Sequence, residues 1–337
     1  MKNKFSKIKL LVILACFAII LPFCLKLKYQ KKEPETLKIR LNEVTHSIFY
    51  APQYVALELG YFKNEGLDIE LLNAEGSDKT MMAILSAQAD IGLLGASSVI
   101  NAYKSCGDIP ILFAGLTQRD GSFLIGRTPD FTWEKLKNKQ VIAGRKGGVP
   151  RMMFEYILSK KGLEPGKKVQ ILDNIQFSLM GVAFTKGIGD FVTLFEPTAS
   201  NLVLSKNFYI LAPLGQECEK TAYTSYCCLK SYSEKHPDIL KKFTKALYKA
   251  QIWIQNHTAE EIINVILPFF VDADKNLLKK CVENYILADV WCKNPLITKE
   301  EINLMEEIMI KGNELTEKID FEKIVDKSYA KEVIDAS

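Results

Sequence analysis

The chain has 337 residues, of which 48% are hydrophobic and 25% are charged, so it is long enough for two folded lobes and its composition excludes general disorder. Its formal net charge is +4, but residues 1–32 contain eight lysines and no acidic residue. The rest of the chain therefore carries more acidic than basic residues, which excludes a basic body that binds nucleic acid.

The N-terminus combines lysines with a short apolar run. Four lysines precede the run at residues 10–25 and four follow it. This arrangement is typical of a secretory signal, and the run is shorter than the ~20 residues that cross a bilayer comfortably as a helix. We therefore predict export, with residues 1–25 as a signal or anchor segment and 26–36 as a charged linker.

The sequence leaves the mode of membrane attachment open. Cys24 is the candidate for lipidation, Cys16 is the alternative, and an uncleaved signal anchor is the third possibility. Each of these places the body of the protein outside the cytoplasm, tethered to the cell membrane.

Beyond the N-terminal segment the chain contains six cysteines, at positions 106, 218, 227, 228, 281 and 292. They form no CxxC pair, and with only three histidines in the chain we expect no metal site. We interpret these cysteines as small buried residues. Two disulfides remain open alternatives, one joining Cys281 to Cys292 and one joining Cys218 to Cys227 or Cys228.

From residue 36 onward, strand-like and helix-like segments alternate. Strands are predicted at 37–44, 68–72, 91–94, 109–117 and 123–126, and helices at 52–62 and 79–88. This alternation predicts a parallel sheet with helices on its faces.

The same order returns from about residue 131. Strands are predicted at 141–143, 169–172 and 191–195, and a helix at 150–161. Asp90 and Asp190 each close a turn immediately before a buried strand. This internal repeat predicts two lobes of similar construction.

After a predicted strand at 223–229 the chain is nearly all helical. An apolar stripe at helical spacing consists of Leu240, Phe243, Leu247, Ala250 and Ile254. Three pairs fit the capping-box pattern of a helix start, namely Ser231 with Glu234, Thr258 with Glu261, and Thr298 with Glu301. This tail has no sheet of its own, so we expect it to pack on the first lobe.

Several motifs together carry a family resemblance. They are Thr45-His46, Ala51-Pro52-Gln-Tyr-Val-Ala56, Gly60-Tyr-Phe-Lys-Asn-Glu-Gly66-Leu-Asp-Ile-Glu70, Ala89-Asp-Ile-Gly92 and Leu194-Phe-Glu-Pro-Thr198. Over about residues 37–330 the chain resembles the nitrate, sulfonate, taurine and thiamine-precursor branch of ABC-transporter substrate-binding proteins.

The resemblance implies an α/β, two-lobed type II periplasmic-binding fold. Lobe one is expected to comprise 37–127 and 223–337, and lobe two 128–222, with a helix-rich C-terminal tail packed on lobe one. The resemblance further implies a monomer without a cofactor, which binds a small molecule in the cleft and delivers it to ABC permease and ATPase subunits. Closure of the lobes around the ligand is the expected motion.

The cleft of such a fold lies beyond the carboxyl ends of its strands. The candidate ligand-binding residues at these positions are Thr45, His46, Phe49, Ser97, Ser98, Gln118, Arg119, Gly147, Gly148, Glu196 and Tyr226. Arg119 is a candidate clamp for an anionic group, although Asp120 beside it would neutralise the same charge. Ser97 and Ser98 are equally well interpreted as helix N-caps.

Glu196 can accept hydrogen bonds from an aminopyrimidine, and Phe49, Phe195 and Tyr226 are candidate stacking surfaces. This favours a thiamine-precursor pyrimidine or another heterocycle over nitrate, with a sulfonate or taurine next.

Two alternative functions remain. Tyr226-Cys227-Cys228-Leu229 faintly resembles the cysteine-rich run of a fungal thiamine-pyrimidine synthase, and a sensory ectodomain uses the same scaffold.

Overall fold

The computed structural model of the chain describes residues 36–205 and 208–337. The predicted signal or anchor segment, almost all of the predicted linker, Cys16 and Cys24 lie outside these residues. Within the described part of the chain, every helix is too short or too polar to cross a membrane.

Ten strands and fourteen α-helices are described. The strands are β1 (Leu37–Glu43), β2 (Leu67–Asn73), β3 (Ile91–Gly95), β4 (Pro110–Thr117), β5 (Ser122–Gly126), β6 (Gln140–Ile142), β7 (Gln170–Leu172), β8 (Phe191–Phe195), β9 (Tyr209–Pro213) and β10 (Thr224–Leu229). The helices are α1 (Ala51–Glu58), α2 (Tyr61–Asn64), α3 (Ser77–Leu85), α4 (Ala96–Ala102), α5 (Val149–Lys160), α6 (Met180–Thr185), α7 (Thr198–Ser205), α8 (Lys230–Lys235), α9 (Pro237–Gln255), α10 (Ala259–Ile266), α11 (Lys275–Leu287), α12 (Lys299–Lys311), α13 (Phe321–Ile324) and α14 (Ser328–Asp335).

These strands form two five-stranded sheets. The first has the order β2-β1-β3-β10-β4 and the second the order β7-β6-β8-β5-β9. The pairs β1–β3, β6–β7 and β6–β8 are parallel, as predicted. Each sheet also contains one strand that runs antiparallel to both neighbours, β10 in the first and β5 in the second. The fold is therefore α/β with two lobes, each built on a mixed sheet.

The chain crosses between the sheets at 118–121 and returns at 218–223. Strand β5 pairs with β8 and β9, so it belongs to the second sheet, although the expected boundary of 127 places it in lobe one. Every residue of β5 is buried. A fully buried strand has no polar face, so its sequence does not indicate which sheet it joins.

The internal repeat is present in the hydrogen bonding of both sheets. The Asp90 carboxylate accepts a hydrogen bond from the Arg40 backbone nitrogen at 2.8 Å, where β1 runs beside the start of β3. The Asp190 carboxylate accepts one from the Gln140 nitrogen at 2.9 Å, where β6 runs beside the start of β8. The two aspartates therefore join equivalent strand pairs.

The helical tail packs on the first lobe as expected, through α9 against α1 and β2 and through α14 against β4. All five residues of the predicted stripe on α9 are buried. In addition, α11 contacts α7 and α12 contacts α5, so two tail helices also reach helices of the second lobe. This second set of contacts brings tail side chains to the space between the sheets.

Two of the three predicted capping boxes are present, at Thr258 before α10 and at Thr298 before α12. The prediction for Ser231 was wrong. This residue lies inside α8, and its hydroxyl donates to the Asp108 carboxylate at 2.5 Å. The six described cysteines are free thiols, and all except Cys106 are buried.

Candidate functional site

Four aromatic side chains meet between the two sheets. The Phe49 ring is 4% exposed, and its centroid lies 5.8 Å from that of Phe195, 5.9 Å from Tyr223 and 5.3 Å from Tyr285. Phe195 ends β8, Tyr223 lies in the returning crossover and Tyr285 lies on α11. We call these four residues the aromatic cluster, since they join the first sheet, the second sheet, a crossover and the tail.

The chain after β1 places Phe49 at the centre of this cluster. Ile48–Tyr50 forms a single 3₁₀ turn, in which the Ser47 hydroxyl accepts a hydrogen bond from the Phe49 nitrogen at 3.2 Å. The Trp291 indole nitrogen donates to the Phe49 carbonyl at 2.9 Å. The backbone of Phe49 is therefore held from within the turn and from the tail.

Glu196 lies beside the cluster at the end of β8 and is 3% exposed. Its carboxylate accepts hydrogen bonds from the Ser200 nitrogen and hydroxyl, each at 2.8 Å, and from the Asn284 side-chain nitrogen at 2.6 Å. The Glu196 backbone nitrogen donates to the Tyr285 hydroxyl at 3.2 Å. A buried acid thus joins the second sheet to the tail helix α11.

Asp120 joins the two crossovers on another side of the cluster. The Asp120 carboxylate is buried and accepts hydrogen bonds from the Ser122 nitrogen at 2.7 Å, from the Ser122 hydroxyl, and from the Tyr223 hydroxyl at 2.8 Å. Burial raises the pKa of Asp120, and its hydrogen-bond donors only partly offset this effect.

Glu43, at the carboxyl end of β1, is the centre of a third polar group. Its carboxylate accepts hydrogen bonds from Gln53 at 2.7 Å and Tyr54 at 2.9 Å, and it pairs with His46 Nδ1 at 2.9 Å. The pKa of His46 is raised mainly because its ring donates a hydrogen bond to the Glu43 carboxylate. Three buried carboxylates therefore lie where strands of the two sheets end or cross.

The Arg119 guanidinium, on the outgoing crossover, has protein partners around the start of the returning crossover and in the tail. One of its nitrogens donates to the carbonyls of Gly215 at 2.8 Å and Cys218 at 2.7 Å, and its Nε lies 3.5 Å from the Asp289 carboxylate. Gln118, which precedes it, is buried and donates to the Asp289 carbonyl at 3.1 Å. Both side chains fasten the crossovers to the tail in this structure.

Tyr226 does not join the aromatic cluster. It lies in the core of the first lobe, with its hydroxyl donating to Gln53 at 3.1 Å and its ring centroid 4.9 Å from that of Phe243. Stacking of a ligand on Tyr226 would need this core to open.

The remaining candidates lie at strand ends. Thr45 is exposed, whereas Ser97 is buried in the first turn of α4. The N-cap of α4 is Gly95, so the N-cap interpretation of Ser97 and Ser98 was wrong. Gly148 is the N-cap of α5. A Cβ on Gly147 would lie 2.6 Å from the Glu314 carboxylate, so that loop lies against the tail.

The candidate ligand-binding residues predicted from the sequence did not include Glu43, Tyr223, Asn284 or Tyr285. The signal for Glu43 was available, since it continues the alternation of Ile39 and Leu41 and is therefore a charged residue on the apolar face of β1. Asn284 and Tyr285 gave no local signal, because they reach Glu196 from almost 90 residues further along the chain.

Cys227 and Cys228, on which the alternative interpretation as an enzyme depends, are both buried in β10. Burial raises the pKa of the Cys227 thiol to about 12, and it also raises the pKa of the Cys228 thiol well above its usual range. Protonated thiols are poor metal ligands and poor nucleophiles. Within residues 36–205 and 208–337, His, Cys, Asp and Glu side chains form no group of three that could hold a metal ion.

Two α/β lobes, each built on a five-stranded mixed sheet and joined by crossovers, are the fold of periplasmic binding proteins. The periplasmic aliphatic sulphonate binding protein SsuA from Escherichia coli has a similar structure, with a TM-score of 0.68 at 15% sequence identity, covering 85% of this chain and 96% of that one.

A family model described as NMT1/THI5 like matches residues 48–261, and the chain belongs to this family. It is 40% identical over 306 residues to YtlA of Bacillus subtilis (strain 168), whose name gives it a provisional role as a binding protein; the match covers 90% of this chain and 92% of YtlA. It is also 26% identical over 227 residues to 4-amino-5-hydroxymethyl-2-methylpyrimidine phosphate synthase THI11 of Saccharomyces cerevisiae, covering 61% of this chain and 63% of the synthase.

Proposed function

We propose that the chain is an extracytoplasmic solute-binding protein that captures a small molecule between its sheets and delivers it to an ABC permease and ATPase. The aromatic cluster is the observation that carries this proposal, since a ligand held there contacts both sheets, a crossover and the tail at once. The segment 1–25 tethers the protein to the membrane, by lipidation at Cys24, by lipidation at Cys16 or as an uncleaved anchor.

Binding is proposed rather than catalysis. The relative that matches nine-tenths of the chain is named as a binding protein, whereas the similarity to the yeast synthase covers less than two thirds of either chain. The raised pKa of Cys227 also argues against a reactive or metal-binding thiolate in β10.

For the ligand we propose an amino-bearing heterocycle such as a thiamine-precursor pyrimidine. The buried carboxylates of Glu196 and Asp120 flank the cluster and suit amino donors. A ligand amino group would replace one of their present donors, such as Asn284 on Glu196 or Tyr223 on Asp120. Arg119, the predicted anion clamp, is hydrogen-bonded to two backbone carbonyls. Carboxylates beside the cluster disfavour an anion electrostatically, so sulfonate or taurine is the second choice.

A thermal-shift titration of the full chain in mild detergent tests this assignment. We expect 4-amino-5-hydroxymethyl-2-methylpyrimidine to raise the melting temperature, because a ligand at a hundredfold excess over its Kd stabilises the folded state by about 2.7 kcal/mol. Taurine, methanesulfonate and nitrate should leave it unchanged. A response to a sulfonate alone would overturn the ligand class, and no response to any compound would count against the proposed function.

A pair of matched substitutions locates the site. Glu196→Gln keeps the shape of the side chain but removes its charge and one acceptor, so it should weaken binding of the aminopyrimidine about tenfold or more, the loss of one charged hydrogen bond. Glu58→Gln, an exposed residue at the end of α1, serves as the control and should bind as the unmodified protein does. Equal affinity of both variants would remove Glu196 from the site.

A further inference from the structure

We propose that the Phe49 ring occupies the position that the aromatic ring of the ligand takes in the bound protein, so that Phe49 must leave this position before a ligand binds. This inference deepens the proposed function and rests on it. If the ring of Phe49 and the ring of the ligand share one position, Phe49 determines which ligand shapes fit and how readily a ligand enters.

The position of the ring is the first reason. Its neighbours Phe195, Tyr223 and Tyr285 belong to the second sheet, the returning crossover and the tail, at centroid distances of 5.3–5.9 Å. Two of the three contacts are edge-on or nearly so, with interplanar angles of 75° for Phe195 and 84° for Tyr223. This geometry is the one that aromatic pairs prefer, and a planar heteroaromatic ligand would satisfy the same neighbours.

Gly121 supplies the second reason. A Cβ at this position would lie 2.4 Å from Phe49 Cε2 and 2.7 Å from Cδ2, so the ring lies directly on the backbone of the outgoing crossover. A glycine that lets a ring approach the backbone here would let a ligand ring approach it equally closely. The Phe49 backbone is held by Ser47 and Trp291, so the side chain can rotate away while the turn stays in place.

The third reason is a line of aromatic rings that leads outward from Phe49. The Phe195 ring is half-buried, and its centroid lies 6.0 Å from that of Phe177, which is 58% exposed. Phe177, Phe195 and Phe49 thus form a continuous series of ring contacts from the surface to the aromatic cluster. Phe177 and Phe195 therefore mark the route by which a planar ligand reaches the position of Phe49.

We therefore expect a planar ligand with a single ring or fused rings. This ligand competes with the Phe49 side chain for one position. The affinity for such a ligand is reduced by the fraction of molecules in which Phe49 has moved away. A substitution that displaces the Phe49 ring should therefore increase affinity without adding any contact.

Indole is a suitable probe because it is planar. Its binding tests whether the position of the Phe49 ring can accept a planar ligand, independently of the polar groups of that ligand. Phe49→Ala removes the ring and leaves its space open. By isothermal titration calorimetry on the full chain in detergent, we expect Phe49→Ala to bind indole at least about tenfold more tightly than the unmodified protein. Adding Gly121→Ala to Phe49→Ala places a Cβ in the vacated space, so this double variant should lose the gain.

Phe49→Ala combined with Gly126→Ala is the matched control. Gly126 ends β5, and its added Cβ would meet the Leu211 side chain at 2.5 Å rather than the space of Phe49. This double variant should bind indole as tightly as Phe49→Ala. Circular dichroism confirms that each variant is folded, and Phe49→Ala alone provides the test if a double variant does not fold.

The outcomes separate this inference from the proposed function. Equal indole affinity in the unmodified protein and Phe49→Ala overturns the inference even if the unmodified protein binds an aminopyrimidine. Tight indole binding by Phe49→Ala that Gly121→Ala does not weaken also overturns it, because the indole then lies elsewhere. Tighter binding by Phe49→Ala that is lost with Gly121→Ala and kept with Gly126→Ala supports the inference, even if no compound of the ligand titration raises the melting temperature, in which case only the proposed ligand and its delivery are in doubt.

Discussion

The Arg119 guanidinium holds three parts of the chain together, through the carbonyls of Gly215 and Cys218 and the carboxylate of Asp289. Arg119→Gln cannot make all of these contacts and leaves carbonyls without a donor. We expect it to lower the free energy of unfolding by about 2–3 kcal/mol in urea denaturation. Arg145→Gln, at an exposed position before α5, is the control and should stay within about 0.5 kcal/mol. Equal stability of the two variants would show that Arg119 is free for another role.

His46 makes the stability of the first lobe depend on pH. Its Nδ1 pairs with Glu43 at 2.9 Å and its Nε2 lies 2.7 Å from the Phe269 carbonyl, so both acceptors favour a doubly protonated ring. The pKa of His46 is accordingly raised above the ordinary histidine value of 6.5, mainly by its hydrogen bond to Glu43. The stabilisation is complete below pH 6.5 and is lost as the pH rises through the raised pKa.

We therefore expect the unmodified protein to lose more unfolding free energy than His46→Gln between pH 6 and pH 9. The difference should be below about 1 kcal/mol, because the imidazole is 36% exposed and solvent screens the pair. Urea denaturation at both pH values measures it. Parallel pH profiles of the two proteins would contradict this account, and Glu43→Gln should abolish the difference.

At the scale of the element, the start of α12 is set by Thr298. Its hydroxyl accepts a hydrogen bond from the Glu301 nitrogen at 3.2 Å, and the Glu301 carboxylate accepts one from the Thr298 nitrogen at 2.8 Å. Thr298→Ala should lower the free energy of unfolding by about 1 kcal/mol, whereas Thr298→Ser keeps the capping oxygen and should change it by a few tenths. Thermal denaturation of both variants decides this, and equal losses would mean that packing, rather than the cap, is responsible.

Local sequence signals predicted most elements because they depend on neighbouring residues. The apolar stripe of α9 and the buried strands follow directly from spacing. Strand β9 was missed because Tyr209–Pro213 is partly exposed, shows no alternation and ends in proline. Ser231 met the capping-box pattern, yet its helix begins one residue earlier and its hydroxyl has a partner in Asp108. A local pattern cannot exclude such a distant partner.

At the scale of the whole molecule, the sequence could place Phe49 and Glu196 at strand ends but could not assemble the site. The aromatic cluster draws on four segments that are far apart in the chain, and Tyr285 reaches it from a tail helix expected on the first lobe alone. Likewise, nothing local distinguishes an arginine that binds a ligand from one that binds backbone carbonyls. Arg119 binds backbone carbonyls because the chain returns to the first lobe beside it, at 218–223.

The contact between Asn284 and Glu196 holds the tail to the second lobe. Asn284→Ala removes the 2.6 Å hydrogen bond to a buried carboxylate, so the free energy of unfolding should fall by about 1–3 kcal/mol. Because α11 and α7 meet at this contact, its loss should also favour separation of the lobes, seen as a larger radius of gyration in X-ray scattering. Asn201→Ala, exposed on α7, is the matched control and should change neither quantity. A destabilised Asn284→Ala variant with an unchanged radius would mean that this hydrogen bond stabilises the fold without controlling closure, and that the crossovers alone set the distance between the lobes.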